Sequence, residues 1–289
     1  MATYKELKGT NIEALETDPT YPNTGQVWYN TTSNVLKGAT GSPIESWSTV
    51  NSMNQKRYGM GSAGTSTAAL GAAGNPPSGP GTGYATLTET WNGTNWTEVN
   101  NVNDQKQYPG SAGVLTAAII FGGSRPQPPT TTENTEIWNG TNWTEVNNMT
   151  EKTTLLVGTG TTTAALGFAG YDTSPALTAS TESWNGTNWT EVNDLNLARY
   201  KPGAGGSYTA ALCAGGQKGG SPSVTANTES WNGTNWTEVN DLNTERQMLG
   251  YSGTSPTAIM MFGGAPYTGA TEKWNGTNWT EVNDLNTAR

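Results

Sequence analysis

The sequence predicts an all-β protein made of repeated four-stranded units, and three observations carry that prediction. The string Trp-Asn-Gly-Thr-Asn-Trp-Thr-Glu-Val-Asn occurs five times, beginning at Trp91, Trp138, Trp184, Trp231 and Trp274. Between these strings lies a second repeated element, a glycine-rich approach followed by Thr-Ala-Ala-Leu or a variant. Its copies are Thr67–Leu70, Thr116–Ile119, Thr163–Leu166, Thr209–Leu212 and Thr257–Met260, each closed by a glycine at 74, 123, 170, 216 or 264. Long helical patterns are absent, and 37 Gly with 15 Pro would break most candidate helices.

The second Trp of each string falls at 96, 143, 189, 236 and 279, and a partial copy sits at Ser46-Trp47-Ser48-Thr49-Val50-Asn51. The steps between these Trp positions are 49, 47, 46, 47 and 43 residues. A period of this size marks one supersecondary unit copied many times. Within the unit, Thr-Glu-x-Trp is a strand, Asn-Gly-Thr-Asn a turn and Trp-Thr-Glu-Val the return strand. Asn-Gly supplies the positive φ that tight hairpins need, and Trp, Thr and Val suit a pleated surface. The paired tryptophans flank the turn, so they can pack across or beside the ladder. The Gly/Thr/Ala element is expected to form an inner pair of strands, where small side chains fit the convergence on a central axis.

Four strands per unit and five units give a five-bladed β-propeller over residues 47–289, with residues 1–46 as an N-terminal extension. A solenoid or a string of separate hairpins is the alternative, but a lone hairpin buries too little to be stable. Closure stays open at this stage. The segment near Trp47 either closes a five-bladed ring or lies outside it; a six-bladed ring whose defective blade comes from the N-terminal hairpin is the other possibility.

The unit resembles a kelch repeat: a glycine doublet after the second strand, a Glu-x-aromatic third strand, a turn, and a Trp opening the fourth. It departs from the usual kelch unit in its shorter inner strands and its alanines. Glu89, Glu136, Glu182, Glu229 and Glu272 share one position in the third strands. The resemblance implies that Arg57, Arg199, Arg246 and Arg289 pair with such glutamates across blades. Copies two and three carry Gln107 and Thr154 in place of that arginine. A ring of five carboxylates could also be read as a metal site, but pairing and hydrogen bonding at blade junctions is the simpler role.

The extension contains Gly25-Gln26-Val27-Trp28-Tyr29-Asn30 and then Val35-Leu36-Lys37. This stretch resembles a short β-hairpin near the start of bacteriophage virion proteins, especially tail-fibre-like ones. The whole chain looks like kelch-type structural proteins of marine phages. That resemblance implies a virion location, docking to other virion proteins through residues 1–46, and an oligomer within the particle. The opening residues lack the basic start and apolar core of a signal peptide, and no run approaches membrane-spanning length, so neither a leader nor membrane insertion is expected.

Composition narrows the chemistry. A net charge of −9 and a pI near 4.6 argue against nucleic-acid binding. Histidine is absent, which excludes Ser-His-Asp hydrolysis and His-ligated metals, and the scattered arginines form no sialidase-like set. No enzymatic activity and no cofactor is expected. Cys213 is the sole cysteine; it replaces a small apolar residue in an inner strand and is expected to be buried and inert. The Asn-Gly-Thr and Asn-Trp-Thr sequons, as at Asn92 and Asn95, are read as turn residues.

The hairpins are nearly invariant, whereas the segments after the inner-strand glycines vary: 75–87, 124–134, 171–180, 217–227 and 265–270. These loops should share one face with the links between blades, leaving the Asn-Gly turns on the other. Variable loops on a rigid frame suit recognition. Tyr84, Arg125, Tyr171, Lys218 and Tyr267 are the candidate ligand-binding residues for a host cell-surface glycan or protein. The competing expectations are an architectural capsid-decoration or tail protein, docked through its uniform face or residues 1–46, and a cellular lectin or interaction propeller.

Overall fold

The computed structural model describes residues 13–17, 27–38, 47–77, 86–126, 129–172 and 176–289. The chain divides into two compact units, Met1–Ser46 and Trp47–Arg289. In the first, β1 (Glu13–Leu15) runs parallel to β2 (Val27–Asn30), which pairs antiparallel with β3 (Val35–Gly38). The expected hairpin is therefore present, with Asn34 at φ 56° in its turn. Among the described residues no helix is long and apolar enough to cross a membrane.

The second unit is a five-bladed β-propeller. Blade 1 is β4 (Gly61–Thr65), β5 (Ala68–Ala72), β6 (Thr88–Trp91) and β7 (Trp96–Val99). Blade 2 is β8 (Gly110–Val114), β9 (Ala117–Phe121), β12 (Thr135–Trp138) and β13 (Trp143–Val146); its variable loop folds into a small hairpin of β10 (Ser124–Pro126) and β11 (Pro129–Thr131). Blade 3 is β14 (Val157–Thr161), β15 (Ala164–Phe168), β16 (Thr181–Trp184) and β17 (Trp189–Val192). Blade 4 is β18 (Gly203–Ser207), β19 (Ala210–Ala214), β20 (Thr228–Trp231) and β21 (Trp236–Val239). Blade 5 is β22 (Gly250–Ser255), β23 (Ala258–Phe262), β24 (Thr271–Trp274) and β25 (Trp279–Val282). All ladders within a blade are antiparallel, as short connections require.

The glycine-rich strands β4, β8, β14, β18 and β22 line the axis, and successive ones pack on each other from β4 to β22. Each carries a left-handed glycine: Gly64, Gly113, Gly160, Gly206 and Gly253, with φ between +92° and +119°. A Cβ at Gly64 would lie 2.2 Å from the Ala68 carbonyl oxygen, so no larger residue fits there.

The invariant string is explained by contacts that recur from blade to blade. Its two tryptophans stand opposite each other in the ladder with ring centroids 5.3–5.5 Å apart. The first donates its indole N–H to the turn between the inner strands, as Trp138 Nε1 does to Leu115 O at 3.0 Å. The second reaches across the junction: Trp143, Trp189, Trp236 and Trp279 donate to Thr88, Thr135, Thr181 and Thr228 of the preceding blade at 3.0–3.2 Å. In the turn, Asn92 Oδ1 accepts from the amides of Thr94 and Asn95, both at 2.9 Å. The final Asn ties to the next turn: Asn100 Nδ2 donates to Thr141 O and Asn142 Oδ1. The tryptophans and asparagines of the string thus satisfy polar groups that packing would otherwise strand.

Cys213 lies on β19 and is fully buried. Burial pushes its thiol up to about 11, so the thiolate is scarce at neutral pH. Native protein at pH 8 should therefore react with a thiol-specific disulfide reagent at least about a hundredfold more slowly than urea-unfolded protein; equal rates would show that the fourth blade opens readily.

Candidate functional site

The loops and links do share one face. Backbone bridges join Tyr58 to Asn75, Gln107 to Ser124, Thr154 to Tyr171, Tyr200 to Gln217 and Gln247 to Ala265, pinning the start of each variable loop to the link entering its blade. One residue further on, every link adopts a left-handed backbone: Gly59, Tyr108, Leu155, Lys201 and Met248, at φ 52–62°. This conformation is costly for a non-glycine residue and persists only where the surroundings impose it. The imposing contact is a chain of backbone hydrogen bonds around the axis. Tyr108 N donates to Gly59 O at 2.6 Å, Leu155 N to Tyr108 O at 3.1 Å, Lys201 N to Leu155 O at 3.0 Å and Met248 N to Lys201 O at 2.9 Å.

The left-handed turns and the inner-strand entries together form an axial mouth, a cavity of about 470 Å³. Tyr58, Tyr108, Leu155, Lys201, Met248 and Tyr267 supply its distinctive side chains. Tyr58 and Tyr108 lie with centroids 6.2 Å apart. Tyr267 is 86% exposed and Tyr58 and Met248 each 47%, so these apolar groups are offered to solvent rather than used in the core. Lys201 Nζ sits 4.9 Å above the Tyr200 ring, and burial lowers its pKa. Aromatic faces with one cation and backbone polar groups suit a polyhydroxylated ligand.

Of the residues singled out from the sequence, only Tyr267 lines this mouth. Tyr84 lies outside the described residues. Arg125 is engaged by Asp104 at 2.8 Å. Tyr171 packs against Tyr200 at 5.4 Å, and Lys218 borders a polar recess with Glu229 and Glu238. Arg125, Tyr171 and Lys218 lie on different blades and are not brought together. Sequence reasoning missed Tyr58, Tyr108, Lys201 and Met248. One signal could have found them: the two positions after the link cation carry Tyr-Gly, Gln-Tyr, Thr-Leu, Tyr-Lys and Gln-Met, whereas the strings on either side barely change.

The third-strand glutamates form a second set of polar sites, one per junction. Glu272 is representative: Oε2 accepts Asn243 N at 2.7 Å and Nδ2 at 2.8 Å, while Oε1 accepts Arg246 Nη2 at 2.7 Å. Arg57–Glu89 and Arg199–Glu229 repeat this pairing at 3.2 and 3.0 Å. The expected alignment of copies two and three is corrected by one residue. Lys106, not Gln107, fills the cation position in blade 2 and lies 3.5 Å from Glu136; Thr153, not Thr154, fills it in blade 3. Counting three residues from the asparagine that donates to the glutamate gives this register directly, from Asn103 to Lys106 as from Asn243 to Arg246. Each carboxylate is consumed at its own junction, and among the described residues no group of acidic side chains converges to hold a metal.

No protein-family model matches the sequence, and no curated protein matches it significantly.

Proposed function

We propose that the protein is a non-enzymatic attachment module of a phage virion, a tail or fibre component that holds a host-surface glycan in the axial mouth. The observation that carries this reading is the cavity of about 470 Å³ lined by exposed Tyr58, Met248 and Tyr267, at repeat positions whose residues differ from blade to blade. A purely architectural ring has no need of exposed aromatics at its axis, since five identical links would hold the blades equally well. The virion setting rests on the resemblance of the opening hairpin and the repeats to phage structural proteins, and residues 1–46 are the segment proposed to dock to neighbouring virion proteins.

The test is binding of the full chain to candidate host cells, with and without soluble envelope polysaccharide. Saturable binding that the polysaccharide displaces is expected. Truncating two central aromatic anchors in Tyr58→Ala/Tyr267→Ala should weaken it by about 2 kcal/mol, roughly thirtyfold in Kd. Binding unchanged in that variant would remove the mouth as the site. Absence of binding across hosts would favour the architectural reading, in which the uniform Asn-Gly face is the contact surface.

A further inference from the structure

Among the side chains that line the axial mouth, Lys201 is the only charged one. The fold does not require a cation there. The five left-handed positions around the axis carry Gly59, Tyr108, Leu155, Lys201 and Met248. Their backbone groups form one continuous chain of hydrogen bonds whatever the side chain. Nothing in the architecture of the ring therefore selects a lysine at the fourth position.

The lysine is also kept clear of acids. No carboxylate lines the mouth, and among the described residues none of the ion pairs includes Lys201. The charged residues of the variable loops on this face are engaged elsewhere. Arg125 pairs with Asp104 at 2.8 Å and Glu133 with Lys152 at 3.7 Å. Asp172 Oδ1 accepts Ala176 N at 3.0 Å within its own loop, and Lys218 borders the recess at Glu229 and Glu238. Residues 75–87, the variable segment of blade 1, include no charged residue.

A half-buried ammonium without a counter-charge is disfavoured, and burial lowers the pKa of Lys201 accordingly. The Tyr200 ring, 4.9 Å from Nζ, offsets part of that cost. This ring is itself held in place. Tyr200 Oη donates to Gln217 Oε1 at 2.6 Å, and the ring packs on that of Tyr171 at 5.4 Å. The ammonium thus rests on a fixed platform in the wall of a cavity whose other distinctive groups are aromatic or apolar. The surrounding protein has the opposite sign, with 14 Lys and Arg against 23 Asp and Glu. Such a surface repels a densely charged polyanion at a distance. One cation at the axis then favours one anion at one point of an otherwise neutral ligand.

We infer that Lys201 determines the specificity of the axial mouth, which takes a glycan bearing one anionic substituent, a carboxylate or a phosphate ester, on the residue that enters. The anion pairs with Nζ while neutral sugar faces lie against Tyr58 and Tyr267. This inference rests on the reading of the mouth as a glycan site and adds the class of glycan.

Binding of the full chain to host cells would be competed with the soluble envelope polysaccharide in three forms. One is as extracted, one has its carboxylates amidated through a carbodiimide, and one has its phosphate esters cleaved by cold aqueous hydrogen fluoride. At least one treatment should raise the concentration needed for competition about tenfold, the loss of one charge-assisted contact. Which treatment does so identifies the anion. Lys201→Gln should lose the same factor toward the untreated polysaccharide and cease to distinguish the three forms, whereas Lys201→Arg should still distinguish them. Equal competition by all three forms against the native chain overturns the inference. So does a Lys201→Gln variant that still discriminates, or one that melts lower yet binds as the native chain does, which would assign the lysine to the chain's own packing. Tyr58→Ala/Tyr267→Ala, measured alongside, separates the two readings. If it loses binding and Lys201→Gln does not, the mouth stands and the anion falls; if both bind as the native chain does, the mouth itself falls.

Discussion

Glu272→Gln is expected to destabilise the propeller by about 3–5 kcal/mol, whereas Glu182→Gln should cost almost nothing at neutral pH. The two glutamates hold equivalent positions in β24 and β16 and are both buried. What differs is the cation. Arg246 is fully buried, its pKa lowered by desolvation, and its Nη2 lies 2.7 Å from Glu272 Oε1. Glutamine keeps the shape but leaves the guanidinium beside a neutral amide, which is the expensive way to break a buried pair. At Glu182 the cation position holds Thr153, and the carboxylate accepts the backbone N–H groups of Thr150 and Glu151, at 2.8 and 3.1 Å, with a further side-chain hydrogen bond from Thr150 and, among the described residues, no cation. Burial therefore dominates and raises its pKa above the ordinary 4.5. A carboxyl group whose folded pKa is raised contributes its stability below the unfolded value and loses it as pH rises through the folded one. Urea melts at pH 4 and pH 7 separate the cases. Glu182→Gln should gain on the native chain between those pH values, and Glu272→Gln should be the weaker protein at pH 7. Equal losses for both variants at pH 7 would mean that the cation is not what distinguishes the junctions.

The parts of this fold that were legible in the sequence are those whose causes are local. Asn92 and Gly93 specify their turn by themselves, and the opposed tryptophans fix the ladder register of β6 on β7. The same string repeated at a near-constant period then marks out five complete blades. Arginine alone does not mark the cation position in blades 2 and 3, because what the structure keeps constant is the distance from Asn103, and at that distance it accepts Lys106. The axial mouth was not legible. Tyr58 and Tyr267 lie more than two hundred residues apart, and only the ring brings them to one cavity. The state of closure was also undecidable from the pattern, since Trp47 is placed by Thr271 and Asn286 from the far end of the chain.

Phe121→Ala is expected to cost about 3–5 kcal/mol, and Gly158→Ala should be harmful in the native chain yet much less so beside it. Phe121 is fully buried, with its ring 4.6 Å from Trp189 of the next blade. It projects into a slot made by absent side chains. A Cβ added at Gly110, Gly158 or Gly167 would lie 2.3, 2.4 and 2.6 Å from its ring atoms. Gly158 does not have a left-handed φ, so space rather than backbone conformation demands glycine there. The other junctions show the same compensation. Phe168, the equivalent of Phe121 in blade 3, clusters with Ala204 and Cys213 of blade 4. Where that position holds a small residue, the next blade is large: Ala72 clusters with Ile120, and Ala214 with Met261 and Tyr251. Cys213 is thus a small residue required by Phe168, which accounts for a lone buried thiol without assigning it any chemistry. Near-identical outer hairpins keep the blades in register, and the inner strands vary in complementary pairs to keep the packing density constant. A double-mutant cycle over Phe121 and Gly158 tests this. Gly158→Ala should cost about 1–3 kcal/mol alone and less, or nothing, when Phe121 is alanine. Equal cost in both backgrounds would separate the two sites and leave the glycines of β14 and β15 without a packing explanation.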